Sequence, residues 1–284
     1  MSTQTQRRPA TFGLFGSEQK PTFPVIYGRE ISPDQPPYCI AEISANHSGS
    51  LEKAHVLIDL AKDAGADAVK LQCYTPDELT TRQHLGLWNL YEQAQTPRAW
   101  FEELMGHADD IGLSLFSSVF SVDGLKFVTD LGVPAIKIAS HEIRDHNLID
   151  RAVDTGLPVI VSTGLATEDD LRNYAGMGIV WLHCVSQYPS TIEQANLLAI
   201  KTLQRYGLAG LSDHTPGIET AIAATALGAT VIEKHIKAYE NDRCIDAAYS
   251  LDPDQFATMC TATRAIWHGM GDGVIRPTGE LRQR

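Results

Sequence analysis

The chain has 284 residues, 43% hydrophobic and 20% charged, with a formal net charge of −12. That apolar content excludes a disordered or collagen-like chain, and the acidic balance excludes a general nucleic-acid binder, whose phosphate contacts need a dense cationic surface. An α/β barrel commonly takes about 250 residues as one unit, so the length admits a single large domain.

Residues 1–37 carry Pro9, Pro21, Pro24, Pro33, Pro36 and Pro37 with Gly13, Gly16 and Gly28. This composition predicts a loose tail and a short hairpin around Val25 to Ile31. Arg7 and Arg8 precede no apolar stretch, and the longest apolar run, Ala221 to Ile232, is too short and broken to span a bilayer. The five cysteines, Cys39, Cys73, Cys184, Cys244 and Cys260, are scattered without a CxxC pair. The expectation is a soluble cytoplasmic protein in a reducing compartment, with no membrane or nucleic-acid partner.

From residue 38 the texture changes. Short runs rich in Ile and Val predict eight strands: Tyr38–Ile43, Ala68–Gln72, Ser114–Ser117, Ala135–Ile138, Pro158–Ser162, Ile179–His183, Ala209–Ser212 and Thr230–Lys234. Amphipathic stretches between and after them predict helices over Leu51–Ala64, Thr96–Ile111, Val122–Leu131, Asn147–Thr155, Thr167–Tyr174, Asn196–Tyr206, Gly217–Leu227 and Pro253–Trp267. Glycines such as Gly65, Gly132, Gly156 and Gly228 stand where those helices should end. Eight βα units with doubly buried strands describe a (β/α)8 TIM barrel over 38–272, followed by a tail over 273–284. A doubly wound open sheet is the alternative, but neither a GxGxxG nor a Walker loop is present. The longest βα connection, Tyr74 to about Pro97, contains Trp88 and Tyr91 and suggests a lid or partner surface.

Barrel enzymes carry their chemistry at the carboxyl ends of the strands. Those ends supply Glu42, Asn46 and His47; Lys70 and Gln72; Ser117 and Ser118; Lys137, Ser140 and Glu142; Ser162 and Thr163; His183, Ser186 and Tyr188; Ser212, Asp213 and His214; and Glu233, Lys234 and His235. Lys70 and Lys137 sit within apolar strand sequence, where a lysine without an anionic partner is expensive to bury. With Ser140, Ser162 and Ser212 they suggest a phosphate or carboxylate pocket in preference to a structural ion pair with Glu42 or Glu233. His214 and His235 end neighbouring strands about 4.8 Å apart and could share a divalent ion, with Glu42, Asp213 and Asp246 as available carboxylates. Oxygen-rich surroundings suit Mn²⁺ or Mg²⁺ better than structural zinc. Cys184 reads as an inert barrel thiol.

These same residues resemble the sialic acid synthase family of phosphoenolpyruvate-dependent sugar-acid synthases. The resemblance runs from Ala41 to about Pro277, through the segments Ala41–His47, Gly65–Gln72, Lys137–Ser140, Val161–Gly164, Leu211–Thr215 and Val231–His235. The segments Ser44–His47, Leu71–Thr75 and Asn89–Pro97 are most similar to its pseudaminic acid branch. The resemblance implies condensation of phosphoenolpyruvate with the open-chain aldehyde of an N-acetyl or diacetamido amino sugar, giving a nine-carbon 2-keto sugar acid and phosphate. It implies Lys70, Lys137, Ser140, Ser162, Ser186 and Ser212 for phosphoenolpyruvate and Gln72, Glu142, Tyr188 and Asp246 for the sugar. Glu42 is implied as the proton-transfer carboxylate, and His214 and His235 as catalytic ligands of Mn²⁺, with Mg²⁺ or Co²⁺ as alternatives.

Two local departures from the family pattern are Ser118-Val119-Phe120 after the third strand and Cys244-Ile245 before Asp246. Family members also continue into an antifreeze-like domain, whereas this chain ends just past Arg276-Pro277-Thr278. The resemblance implies a homodimer, and the expectation is that the antifreeze-like domain is supplied by a separate protein or not required. A metal-dependent aldolase, or a non-catalytic barrel partnering a full-length synthase, is the alternative function.

Overall fold

The computed structural model describes residues 23–276. The loose tail expected before residue 23 and the segment after 276 lie outside the described residues. A two-stranded antiparallel hairpin, β1 (Val25–Ile26) and β2 (Arg29–Glu30), comes first. Its Ile26, followed by Ile31, packs into the core, and Arg29 forms an ion pair with Asp67.

Eight parallel strands then close into a barrel: β3 (Tyr38–Glu42), β4 (Ala68–Cys73), β5 (Ser114–Val119), β6 (Ile136–Ile138), β7 (Val159–Ser162), β8 (Val180–Cys184), β9 (Leu208–Asp213) and β10 (Val231–His235). Every residue of these strands is buried except Gln72, because one face meets the barrel interior and the other the helix layer. Each lies within two residues of its expected position. Helix ends follow local chemistry. Ser50 caps Leu51–Asp63 by accepting the Lys53 amide at 3.1 Å, and Gly65 beyond it takes the left-handed φ of +80° that a side chain resists. The final helix, Pro253–Gly269, starts with an Asp252–Gln255 capping box and buries Phe256, Met259, Cys260 and Thr263.

The long connection after β4, expected as a lid or partner surface, carries secondary structure of its own. It folds into short helices over Pro76–Leu79 and Leu85–Ala94, joined by a 3-10 turn at Arg82–His84. Trp88 Nε1 donates to Asp77 Oδ1 at 2.9 Å, and the Arg82 guanidinium stacks 4.4 Å from the Trp88 ring, which ties the two helices together. Among the described residues no helix is long and apolar enough to cross a membrane.

Candidate active site

Strand register decides which polar side chains meet. His235, Glu42 and Lys70 are consecutive partners across β10, β3 and β4. Gln72, Ser118 and Lys137 form a second row across β4, β5 and β6, and Ser212 pairs with Glu233 across β9 and β10. Alternation along a strand then places Lys70 with Gln72, and Glu233 with His235, on the interior face. These residues converge on a cavity of about 460 Å³ that is also lined by Ser140, Glu142, Ser162, Tyr188, His214 and Asp246.

The floor of this cavity is a buried charge cluster. Lys70 is in ion-pair contact with Glu42, lies 3.9 Å from Glu233, and donates to Ser118 Oγ at 2.7 Å. Lys137 donates to Ser162 Oγ at 2.7 Å and to the Ile138 carbonyl at 3.1 Å, with Glu233 at 4.0 Å. Ser212 Oγ donates to Glu233 at 3.0 Å, and Gln72 Nε2 to Glu42 at 3.1 Å. Lys70 thus contacts both carboxylates and Lys137 reaches Glu233, so the ion pairs weighed against an anion pocket are present beside the serines expected to direct an anion. Inward strand faces carry both signs here, and a buried lysine takes the nearest carboxylate.

The charges are unevenly held. Burial pushes the Glu42 carboxyl above its ordinary range, against the pull of Lys70 and His235. Glu233 moves down: burial opposes its charge, but Lys137, Lys70 and the Ser212 hydroxyl outweigh it. Burial also opposes the Lys70 charge, yet Glu233 and Glu42 raise its pKa. Lys137 is held low by burial, with Glu233 acting against this and Lys70 reinforcing it. Two lysines beside one carboxylate whose pKa is held down and one whose pKa is pushed up leave the floor able to take an anion.

The histidines stand beside this floor with ring centroids 5.6 Å apart. His214 Nδ1 lies 3.0 Å from the Val185 carbonyl, which can only accept, so Nδ1 carries the proton and Nε2 the free lone pair. His235 Nδ1 faces Asp246 Oδ2 at 3.5 Å, and neither atom has a hydrogen-bond partner. Tyr249 donates its hydroxyl to the other Asp246 oxygen and sets its ring 4.8 Å from His235. Burial opposes ionisation of Asp246, but His235 and Tyr249 hold its carboxyl well below the usual range. Among the described residues no three His, Cys, Asp or Glu side chains are grouped to hold a metal ion. Two imidazoles with free ring nitrogens fit an open divalent site whose other ligands are water or substrate.

Asp213, expected among the metal carboxylates, is excluded by strand alternation. It sits between the inward Ser212 and His214 and points to the helix layer. There it accepts from Lys234 Nζ at 2.8 Å, Thr220 Oγ1 at 2.7 Å, and the Thr215 amide and hydroxyl at 2.9 and 2.8 Å. Ser186, expected among the phosphate-holding hydroxyls, does not line the main cavity. It opens onto a neighbouring one of about 530 Å³, and its Oγ is buried without a partner. Gly164 stands between the two, since a side chain there would lie 2.2 Å from Ser186 Oγ and 3.0 Å from Ser140 Oγ. Asn46 and His47 also stay out of the cavity. Asn46 ties the end of β3 to the loop before Pro253 by donating to the Ile236 carbonyl at 2.7 Å and accepting the Asp246 amide at 3.2 Å. His47 accepts the Gly49 amide at 3.0 Å, and burial lowers its pKa to about 4. His183 faces the Ala195 carbonyl at 2.7 Å.

The sequence names Glu233 and Ser118 among the polar strand ends without giving them a role in binding or catalysis, and it omits Tyr249. Glu233 carried a signal, since it precedes His235 by two and so shares its inward face. Tyr249 follows Asp246 by three residues in irregular sequence, and periodicity says nothing about it. Cys184 does line the cavity, with Sγ 3.8 Å from His214 Nδ1.

Comparison with known proteins agrees with this geometry. The NeuB family model matches residues 57–275. The chain is 40% identical to a pseudaminic acid synthase of Campylobacter jejuni over 85% of its own length and 77% of that protein. It is 32% identical to an N,N'-diacetyllegionaminic acid synthase of the same species over 83% of this chain and 78% of that one. A crystal structure of N-acetylneuraminic acid synthetase from Leptospira borgpetersenii superposes with a TM-score of 0.82 at 34% identity, covering 86% of this chain and 88% of that one. A closed eight-stranded barrel with this charged floor and histidine pair, matched by that family over most of its length, belongs to the NeuB family.

Proposed function

We propose that the chain is a synthase that joins phosphoenolpyruvate to the aldehyde of an open-chain N-acetyl or diacetamido amino sugar, releasing phosphate and a nine-carbon 2-keto sugar acid. The observation that carries this reading is the charged floor beside the histidine pair. Phosphoenolpyruvate presents a phosphate and a carboxylate, and Lys70 and Lys137 offer the point charges while Ser118, Ser140, Ser162 and Ser212 offer directed hydroxyls.

A divalent ion on His214 and His235, Mn²⁺ by the family resemblance, would supply Lewis-acid polarisation of the aldehyde oxygen. The remaining work falls to the protein. Gln72, Glu142, Tyr188 and Asp246 line the same cavity and orient the sugar so that its aldehyde carbon faces C3 of the enol. As the carbon–carbon bond forms, positive character develops at C2, where Glu233 supplies a buried negative charge. Water adds at C2 and phosphate leaves from the tetrahedral centre. Glu42, with its raised pKa and its contact to Lys70, is placed to take the proton of that water.

The test is phosphate release from phosphoenolpyruvate with a panel of amino sugars and Mn²⁺, with and without chelator. Release that needs sugar and metal together supports the reading. Cleavage of a keto sugar acid without phosphate release would favour an aldolase, and inertness toward every sugar would favour a non-catalytic partner.

A further inference from the structure

We infer that Tyr249 is a positioning residue of the divalent site: through Asp246 it fixes the imidazole of His235 with Nδ1 protonated and Nε2 free for the ion. This rests on the synthase reading and its histidine pair, and adds to it a residue that acts on the ion only through its neighbours.

The two histidines are held by different means. His214 Nδ1 meets the backbone carbonyl of Val185 at 3.0 Å, so the course of the chain itself fixes that ring. No backbone carbonyl plays this part for His235. Its Nδ1 is buried without a hydrogen-bond partner and faces Asp246 Oδ2, equally unpartnered, at 3.5 Å. The orientation of the His235 ring therefore depends on where one side-chain carboxylate stands.

That carboxylate is placed in two stages. Asn46 accepts the Asp246 amide at 3.2 Å and donates to the Ile236 carbonyl at 2.7 Å, Ser250 Oγ donates to the Asp246 carbonyl at 2.7 Å, and the Leu251 amide donates to the His235 carbonyl at 2.9 Å. These bonds fix the loop backbone against the end of β10 but leave the side-chain torsions of Asp246 free. Tyr249, at the end of the 3-10 turn Ala247–Tyr249, removes that freedom. Its hydroxyl donates to Asp246 Oδ1, its ring stands edge-on 4.8 Å from His235, and both residues are buried. Ser44 also stands beside this carboxylate and favours its charge. With Oδ1 held, Oδ2 is turned on His235. A carboxylate behind a metal-binding imidazole fixes its tautomer and orientation and makes it a stronger ligand. Turned to the Nδ1 side, Asp246 serves from behind the histidine and not as a third ligand, in keeping with the absence of a three-donor group among the described residues.

The experiment titrates Mn²⁺ into the metal-free protein without substrates and follows the free ion by its electron paramagnetic resonance signal, in the native chain, Tyr249→Phe, Asp246→Asn and the double variant. Tyr249→Phe keeps the ring and removes only the hydroxyl, and it should weaken Mn²⁺ binding about 10-fold; Asp246→Asn should weaken it roughly 10- to 100-fold. In the Asp246→Asn background Tyr249→Phe should cost nothing further, because the hydroxyl acts through the carboxylate. Phosphate release by Tyr249→Phe should return to the native rate when Mn²⁺ is raised in proportion, which a general loss of packing would not allow. Native-like Mn²⁺ binding by Tyr249→Phe, or the same loss with and without the Asp246 carboxylate, would overturn the inference while leaving the synthase reading intact. A native chain that binds no Mn²⁺ would overturn it too, and if that chain also releases no phosphate from phosphoenolpyruvate the synthase reading falls with it.

Discussion

Three lysines are buried in this barrel, and their surroundings differ in kind. Lys234, on the helix side of β10, is 0% exposed and meets Asp213, whose two oxygens accept from Lys234, Thr215 and Thr220. Every polar atom of that group has a partner within the fold. Lys70 and Lys137, on the interior side, are each 2% exposed, yet their cluster is incomplete: Glu233 Oε2 has no hydrogen-bond partner, and Lys137, which donates to Ser162 and the Ile138 carbonyl, has its nearest carboxylate only at 4.0 Å. A closed ion pair stabilises a particular packing, whereas an open one keeps capacity for a ligand.

The largest expected effect separates the two by stability. Lys234→Met should destabilise the fold by about 3–5 kcal/mol, because Asp213 is left buried and unpaired, and Asp213→Leu added to it should recover much of that loss. Urea unfolding of the two variants checks this, and a Lys234→Met midpoint equal to the native one would break the distinction. Lys137→Met should behave in the opposite way. Its melting temperature should hold or rise, while phosphate release falls by roughly 10²–10³-fold with a higher KM for phosphoenolpyruvate. A variant that unfolds instead would place Lys137 with the structural pair.

The smallest effect concerns Glu142, whose pKa is raised by burial from 4.5 to about 7. Between those values the unfolded chain has lost this proton and the folded chain retains it. The contribution to stability is thus fully present below pH 4.5, falls as pH rises toward 7, and is lost above. Glu142→Gln should therefore match the native chain near pH 4.5 and exceed it at pH 8 by ~1–3 kcal/mol. Thermal melts across that range check the sign, and a constant difference would show that Glu142 titrates normally.

Much of this was legible in the sequence, for a physical reason. Eight apolar runs separated by helix-length amphipathic stretches leave few ways to bury both faces of every strand, and a closed parallel barrel is one of them. Within a strand, alternation is equally legible, so Lys70 with Gln72 and Glu233 with His235 follow from spacing alone. Applied to β9, the same rule would have turned Asp213 away from the metal. The segment after β4 was less legible, because its short helices hold by particular contacts such as Trp88 on Asp77 and Arg82.

The sequence by itself determined the barrel, the strand positions and the side of each strand on which a residue falls, since these depend on local periodicity. Tertiary structure alone decided which rows stand level across neighbouring strands, and hence that Lys70 meets Glu42 and Glu233. It also decided that Ser186 lies behind Gly164 and that Tyr249 reaches Asp246. Those are contacts between residues distant in the chain, set by register and by the return of loops over the barrel mouth, and no local pattern encodes them.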